Sequence, residues 1–355
     1  MSNSISSQHP KAREILPLAA FFCSVLALMA WLVRLPAPAS PVHAQDLQPS
    51  SACDAPVPNP LAVATLRWYS RNQIAQFSLP GGAIGVASMV FDGSNMYVLS
   101  QIANQSAVVN KLRASDGATI ATFTNFPTFE FAGFGSMLFD GQNLWVQYMA
   151  SDSAGLLKFR ASDGTFLGLG GGNGPGGGMG GMTFDGQNVW LGIRGLGLQK
   201  IRANTQASSI FPGGDPVGLA FDGRNVWAAD ASGFVTVYRA TDGALLHSIP
   251  LIGNPLAIAF DGANMWFTNS GNNTVTKIRA HDYAELGTFP TPSGASSILF
   301  DGANLWVGSG SVTLLRACDG THMATFAAPG PGSTGPLAFD GVNVWVGLSN
   351  AVAKM

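Results

Sequence analysis

One eight-residue motif returns along the whole chain at a nearly constant interval. FDGANLWV occupies residues 300–307, and near copies read FDGQNLWV at 139–146, FDGRNVWA at 221–228 and FDGVNVWV at 339–346. The motif aspartate stands at positions 92, 140, 185, 222, 261, 301 and 340, which makes seven copies with a period near 41 residues. Periods of this size are typical of solenoids and propellers. The chain is therefore predicted to be an array of equivalent units.

A second motif lies between the copies of the first and divides each unit further. It reads KLRASDG at 111–117, KFRASDG at 158–164 and VYRATDG at 237–243. The segments around both motifs alternate in polarity and are rich in Val, Ile, Trp and Thr, which predicts strands. An Asp-Gly pair between two strands favours a hairpin, which we interpret as type I′ with both central residues at positive φ. Each unit is thus predicted to hold four strands, as a propeller blade does.

The two ends of the repeat region predict how the ring closes. The chain ends with NAVAKM at 350–355, which matches only the start of a third strand. LRWYSRNQIAQF at 66–77 aligns without gaps on LRASDGATIATF at 112–123. We therefore predict an all-β, seven-bladed β-propeller of four-stranded blades, with an N-terminal strand completing the last blade. Either 63–67 or 351–355 supplies the third strand of that blade.

The N-terminus has the pattern of an export signal. Lys11 and Arg13 precede an uncharged apolar run at 15–33, and small residues follow at Val42 and Ala44. We predict a signal peptide over 1–44 or, because the run nearly spans a bilayer, an uncleaved anchor with the propeller outside. A Pro-rich linker at 45–60 then leads to the propeller at 61–355. Both alternatives place the propeller outside the cytoplasm, in the periplasm, at the cell surface or secreted.

Composition limits the partners and the redox chemistry. Charged residues are only 11% of the chain, the net charge is −2, and no basic run occurs. Nucleic acid and anionic membrane surfaces are therefore disfavoured as partners, and a protein or another envelope component is expected to bind a monomeric propeller. Outside the cytoplasm, Cys53 and Cys318 would form either a disulfide or two free thiols.

The repeated residues are predicted to serve the fold. Six tryptophans and one tyrosine occupy one column of the repeat, at Tyr97, Trp145, Trp190, Trp227, Trp266, Trp306 and Trp345. Large aromatic rings of this kind fill the space between blades. The FDG aspartates are expected to cap their turns, since the further acids of a calcium loop are missing. The repeated arginines, such as Arg113 and Arg160, are expected to pair with aspartates of neighbouring turns.

The acids that do not recur are the candidates for a functional site. Glu130, Asp152, Asp215 and Asp230 map to loops on the face opposite the repeated turns. We predict that they bind a ligand together with Asn269. No catalytic residue is assigned, because His247, His281 and His322 map away from these acids and no hydrolase motif occurs. No cofactor is expected, although magnesium or calcium would suit such acids. The aromatic loop at 124–136 indicates partner binding.

The repeat FDGANMWFTNSGNNTVTKIRAHDYAELGTFP resembles the YVTN-type β-propeller repeats of bacterial extracytoplasmic proteins, with WFTN at 266–269 nearest to their tetrad. The chain is more distantly similar to NHL repeats and to virginiamycin B lyase propellers. The lyase resemblance implies a magnesium ion with His and Glu at one end of the ring, but this chain has Asn269 in place of the Glu. We predict an exported binding or scaffold module at the cell envelope. The alternatives are a metal-assisted lyase or hydrolase that uses the loop acids, and a purely structural surface protein.

Overall fold

The computed structural model describes residues 74–103, 106–127, 131–150, 153–171, 174–175, 178–292, 294–328 and 335–355. These residues form strands and turns without a helix, and their strands assemble into seven antiparallel sheets. The predicted export signal, the linker, Cys53, Glu130 and Asp152 lie outside the described residues. Within the described part, no helix is long and apolar enough to cross a membrane.

Each sheet is one blade, and its strands follow the chain from the inside of the ring outward. Blade 1 contains β2 (Ala83–Phe91), β3 (Asn95–Ile102), β4 (Ser106–Arg113) and β5 (Thr119–Phe123). Blade 2 contains β6 (Phe131–Phe139), β7 (Asn143–Ala150), β8 (Ser153–Arg160) and β9 (Phe166–Leu169), and β10 (Gly174–Pro175) pairs with the free end of β8. Blade 3 contains β11 (Gly178–Phe184), β12 (Asn188–Arg194), β13 (Gly197–Arg202) and β14 (Ser208–Pro212).

The remaining blades repeat this order. Blade 4 contains β15 (Pro216–Phe221), β16 (Asn225–Asp230), β17 (Phe234–Arg239) and β18 (Leu245–Pro250). Blade 5 contains β19 (Pro255–Phe260), β20 (Asn264–Asn269), β21 (Thr274–Arg279) and β22 (Glu285–Pro290). Blade 6 contains β23 (Ser297–Phe300), β24 (Asn304–Gly308), β25 (Ser311–Arg316) and β26 (His322–Ala327). Blade 7 contains β27 (Leu337–Phe339), β28 (Val344–Gly347), β29 (Ala351–Lys354) and β1 (Ala75–Ser78).

The ring closes as predicted, through a strand from the N-terminal end of the repeat region. Ala75 pairs with Lys354 and Ser78 with Ala351, so β1 is the outer strand of blade 7. The third strand of that blade comes from residues 351–354, which decides between the two alternatives. The inner strands of neighbouring blades contact one another around the ring, including β27 against β2. The predicted seven-bladed β-propeller of four-stranded blades is confirmed.

The inner strands of blades 3, 4 and 5 approach one another closely because glycine stands at the contact. A Cβ atom on Gly218 would lie 2.2 Å from the carbonyl oxygen of Leu256 in the next blade, and one on Gly181 would lie 2.6 Å from the amide nitrogen of Leu219. No side chain fits into these positions without moving backbone. The glycines therefore let the narrow ends of the blades converge on the ring axis.

The FDG turns differ from the predicted type I′ geometry. Gly93 has φ +97°, but no FDG aspartate has a positive φ. Instead, the backbone N–H of Asp92 donates to the carbonyl of Asn95 at 3.0 Å, and Oδ1 of Asp92 accepts from the N–H of Ser94 and Asn95 at 2.8 and 2.6 Å. The hydrogen bonds to the Asp92 carboxylate hold the turn, so a second residue with positive φ is not needed. The predicted capping role is confirmed, and the type I′ assignment is wrong.

The aromatic column forms the core between the blades, as the sequence predicts. The five tryptophans other than Trp306 are fully buried, Trp306 is 4% exposed and Tyr97 is 1% exposed. Trp190 stacks on Phe211 of the outer strand, and Trp345 stacks in the same way on Phe77 of β1. Burying each large ring removes about 150–250 Å² of surface from water. The closing strand is thus held by the same aromatic contact that holds outer strands elsewhere.

Candidate functional site

The propeller has two unlike faces, which follow from its antiparallel blades. The FDG turns and the second turns, such as 114–117 in blade 1, lie on one side, which we call the turn face. The connections between second and third strands, and those between blades, lie on the other side, which we call the loop face. Repeated residues occupy the turn face, and residues that do not recur occupy the loop face.

The FDG aspartates are hydrogen-bonded to the tryptophans of their own blades. In the six blades with tryptophan, the indole Nε1–H donates to Oδ2 of the aspartate at 2.7–2.8 Å. The other carboxylate oxygen accepts two backbone N–H groups, as Oδ1 of Asp185 does from Gln187 and Asn188 at 2.9 and 2.7 Å. Burial alone would raise the pKa of Asp140 and Asp185, but these hydrogen bonds outweigh it, and both pKa values lie below the usual value.

The repeated arginines pair differently from the prediction. Arg113 contacts Asp116 of its own turn at 2.8 Å, and the same in-turn pair joins Arg160 to Asp163 and Arg239 to Asp242. The predicted pairing between neighbouring turns is wrong, because the aspartate three residues later lies nearer and the FDG carboxylates are already bonded to indoles. These in-turn pairs are about half exposed, so each contributes little to stability.

A lysine in the third strand joins neighbouring blades on the turn face. Its ammonium lies 4.5–5.5 Å from the centre of the aromatic ring of its own blade in blades 1, 2, 3, 5 and 7. It also donates to a backbone carbonyl in the next blade, as Lys277 does to Ala317 and Cys318 at 2.9 Å each. Lys354 reaches Ala114 and Ser115 of blade 1 and so bridges the closed ring. We call this contact the lysine bracket.

The two acids that the structure describes on the loop face are adjacent, and both have partners within the fold. Asp215 accepts a bidentate contact from Arg194, with Nε and Nη2 at 3.1 and 2.9 Å from its two oxygens. This contact lowers the pKa of Asp215 below its usual value. Asp230 is 3% exposed and accepts the backbone N–H of Asp215 and both the N–H and the hydroxyl of Ser232. Asp230 therefore fixes the loops that carry Asp215 and Ser232.

Asn269 occupies in blade 5 the strand end that Asp230 occupies in blade 4. It is fully buried, and its amide Nδ2 donates to the hydroxyls of Thr274 and Thr276 at 2.9 and 2.8 Å. Its Oδ1 accepts no hydrogen bond from the described residues. The amide points into its own blade rather than toward Asp230 or Asp215. The structure thus brings Asp215 and Asp230 together and leaves Asn269 apart from them.

Local contacts link loop-face residues of blades 3, 4 and 5. Asp215, which pairs with Arg194, donates its backbone N–H to the buried Asp230, and Asp230 pairs in the hairpin with Phe234. The amide of Asn272 lies 3.5 Å from the carbonyl of Ile252, which connects blade 5 to the loop after blade 4. Phe234 is 42% exposed and Ile252 is 86% exposed. We call Arg194, Asp215, Phe234, Ile252 and Asn272 the loop patch.

The composition of the loop patch distinguishes it from the exposed apolar residues of the outer strands. Large apolar side chains are also exposed on the outer strands of several blades, as Ile120, Leu167, Leu245, Leu286 and Met323 show. Ile120, Leu167, Leu286 and Met323 occupy one column of the repeat, which accounts for them, and Leu245 lies one position before that column. Phe234 stands where the other third strands begin with Ser, Gly, Thr or Ala. An aromatic ring, an exposed isoleucine and an arginine pair together are typical of a binding surface.

Sequence reasoning missed most of the loop patch. It selected four acids and Asn269, and of the patch residues only Asp215 belongs to that set. Arg194, Phe234 and Ile252 could have been found by asking which residues break the repeat toward a larger or charged side chain. Among the described residues, no group of three or more His, Cys, Asp or Glu side chains has the arrangement of a metal site. A magnesium or calcium ion at these acids stays a prediction.

Comparison of the chain with protein-family models finds no match. Comparison with curated proteins also finds none.

Proposed function

We propose that this chain is an exported β-propeller that acts as a binding or scaffold module at the cell envelope. One observation carries the proposal, namely the loop patch, in which Phe234 and Ile252 are exposed on the same face as the Arg194–Asp215 pair. The partner we propose is a protein or another envelope component. The export part rests on the apolar N-terminal run and on the disulfide bond of Cys318, since disulfides persist in oxidising compartments.

The arrangement favours binding over acid catalysis. A lyase or hydrolase would need loop-face carboxylates that are free to take a proton or an ion. The carboxylate of Asp230 already accepts three donors of its own loops, and Asp215 is held by Arg194. These partners support the view that both acids shape the surface instead of reacting. Glu130 and Asp152 stay in the proposal as further binding residues.

The proposal is tested by affinity capture from envelope extracts with matched variants of residues 45–355. Ile252→Asp changes the patch, and Leu245→Asp changes a 57% exposed residue on the outer strand of the same blade. We expect the first variant to lose a partner that the wild type and the second variant retain. Equal capture by all three proteins would contradict binding through the patch. A melting temperature raised by Mg²⁺, Ca²⁺ or Mn²⁺ and lost in Asp215→Asn would instead support the metal-dependent alternative.

A further inference from the structure

The outer strand of blade 3, β14, differs from the other outer strands in its register. In blades 1, 2, 4, 5 and 6, one extra residue of the outer strand interrupts its pairing with the third strand, namely Ile120, Leu167, Leu246, Leu286 and Met323. β14 has no such bulge and pairs with β13 in continuous register from Ser208 to Pro212. The corresponding place in blade 7 lies outside the described residues. Of the six blades that can be compared, blade 3 therefore has the straight outer edge.

The missing bulge is a deletion of one residue that the sequence also shows. In blade 1 the outer-strand Phe123 follows six positions after Gly117 of the second turn, whereas in blade 3 Phe211 follows five positions after Gln206. Bulges and charged side chains protect edge strands against pairing with another chain. β14 has neither, and the outer strands of blades 1 and 2, which also lack a charge, keep the bulge. Of the usual protections, β14 has only the proline at its end, Pro212.

The outward side of β14 offers a defined set of backbone groups. The N–H of Arg202 donates to the carbonyl of Ala207 at 2.8 Å, so these two residues form a hydrogen-bonded pair. Because such pairs alternate along an antiparallel ladder, the backbone groups of Ser208, Ile210 and Pro212 point away from β13. No described strand pairs with that side. The free edge thus carries the N–H groups of Ser208 and Ile210 and the carbonyls of all three residues, since proline has no N–H.

The side chain of Ile210 is not explained by its own blade. In blade 1 the equivalent residue, Thr122, donates to Oδ1 of Asn110 at 3.0 Å across the same pair of strands. Ile210 stands opposite Gln199, whose Oε1 is buried and accepts no hydrogen bond from the described residues. Ile210 itself is 57% exposed. An exposed apolar side chain that leaves a buried oxygen unpaired indicates a contact outside the blade.

We propose that β14 pairs with β14 of a second copy of this chain, antiparallel and about a two-fold axis at Ile210. In this register each Ile210 exchanges both backbone hydrogen bonds with the other, and each Ser208 N–H donates to the carbonyl of Pro212 in the second copy. Every outward N–H of both edges is then bonded. The one missing donor is the N–H that Pro212 does not have, and the Ser208 carbonyl opposite it is left to solvent.

This match of the edge with itself favours a second copy over an unrelated strand. The two Ile210 side chains lie directly opposite each other on one face of the joined sheet, and no like charges meet. A two-fold pairing also closes after two copies, so it forms a dimer and no filament. The dimer replaces the monomeric propeller expected from the sequence. It does not rest on the loop patch, because the strand that pairs is at the rim of blade 3.

Sedimentation velocity of the full chain tests the pairing. We expect the wild type to approach twice the 36.8 kDa of one chain as its concentration rises. Insertion of one leucine between Ser208 and Ser209 restores the bulge and should leave a monomer. Ile210→Thr should weaken association by about tenfold or more. Ile120→Thr, on the bulged edge of blade 1, is the matched control and should associate as the wild type does.

The remaining measurements separate loss of pairing from loss of folding. Ile210→Thr supplies a hydroxyl that can donate to Gln199, so the melting temperature of the dilute protein should equal or exceed that of the wild type. Amide exchange in β14 should slow as the wild-type concentration rises, while exchange in β22 of blade 5 stays constant. All the variants have the same N-terminal segment, so a difference between them reports the edge alone.

Three results would overturn the proposal. One is a wild type that stays monomeric at every concentration, and another is a dimer that survives both the insertion and Ile210→Thr. The third is slower exchange in β14 only after an envelope extract is added, which would assign the edge to a strand of another protein.

Discussion

The turn face and the loop face are built from the same four-stranded blades but use their polar residues in opposite ways. On the turn face, repeated aspartates, arginines and lysines bond to an indole, to their own turn or to the next blade, as Asp185, Arg113 and Lys277 show. On the loop face, the polar and apolar residues of the loop patch are not repeated in the other blades. The difference teaches that a residue repeated in every blade is one that a blade needs. Specific recognition is therefore to be sought where the repeat is broken.

The largest expected difference is between removing a buried aromatic ring that bonds to a turn-face aspartate and removing an aromatic ring exposed on the loop face. Trp190 is fully buried and bonded to Asp185, so Trp190→Ala should lower the free energy of unfolding by about 3–5 kcal/mol. Phe234 is 42% exposed, and Phe234→Ala should cost about 1 kcal/mol or less. Denaturant unfolding followed by tryptophan fluorescence and circular dichroism measures both. Similar losses in the two variants would show that the faces do not differ in this way.

Removing a lysine bracket should have the next largest effect on the free energy of unfolding. Lys277→Met removes the donor that two carbonyls of blade 6 share at 2.9 Å, which should cost about 2 kcal/mol. Lys111→Met is the matched control, since the ammonium of Lys111 lies 3.5 Å from its single carbonyl in blade 2. We expect the control to lose less than half as much stability. If both variants unfold at the same denaturant concentration, the bracket contributes through ring contact alone.

Because of the Asp–Trp hydrogen bonds, the free energy of unfolding should depend on pH. The pKa of Asp185 is lowered in the folded protein, so its contribution is fully present above about pH 4 and is lost as the pH falls through the folded value. Asp185→Asn should cost about 1–2 kcal/mol at neutral pH and flatten the loss of stability below pH 4. Thermal melts between pH 2.5 and 7 measure this dependence.

Asp163 provides the control for the acid prediction. It lies in an exposed second turn, and hydrogen bonds from Thr165, together with Arg160, lower its pKa to about 2. Asp163→Asn should shift the melting temperature less than Asp185→Asn at every pH, because solvent screens an exposed pair. A larger shift from Asp163→Asn would mean that the in-turn pairs, and not the indole bonds, hold the turn face together.

The repeat made the architecture predictable because each strand appears seven times with the same signal. The strand positions, the number of blades, the closing strand before Leu79 and the burial of the tryptophans all follow from alternation and spacing. The partners of polar groups were harder to predict. From the sequence, Arg113 could pair with an FDG aspartate or with the aspartate of its own second turn. Only the backbone path of the turn brings it to Asp116.

The candidate site was less predictable for a related reason. Asp230 is an acid on the loop face, as predicted, but its burial depends on two loops folding over it. Arg194, Phe234 and Ile252 carry no motif, and they share a face only because blades 3, 4 and 5 follow one another around the ring. Repetition reports local structure well, but it contains no information about which unrepeated residues meet across blades.

Arg194→Ala should give the smallest change in stability, and it is the variant that tells most about the loop face. The side chains of Arg194 and Asp215 are 46% and 33% exposed, so Arg194→Ala should change the free energy of unfolding by less than about 1 kcal/mol. Releasing Asp215 should bring its pKa back toward the usual value, which titration followed by NMR can measure. If the patch binds a partner, the same variant should weaken capture while the fold stays intact. A large loss of stability would instead place Arg194 with the turn-face residues, as part of what holds the blades together.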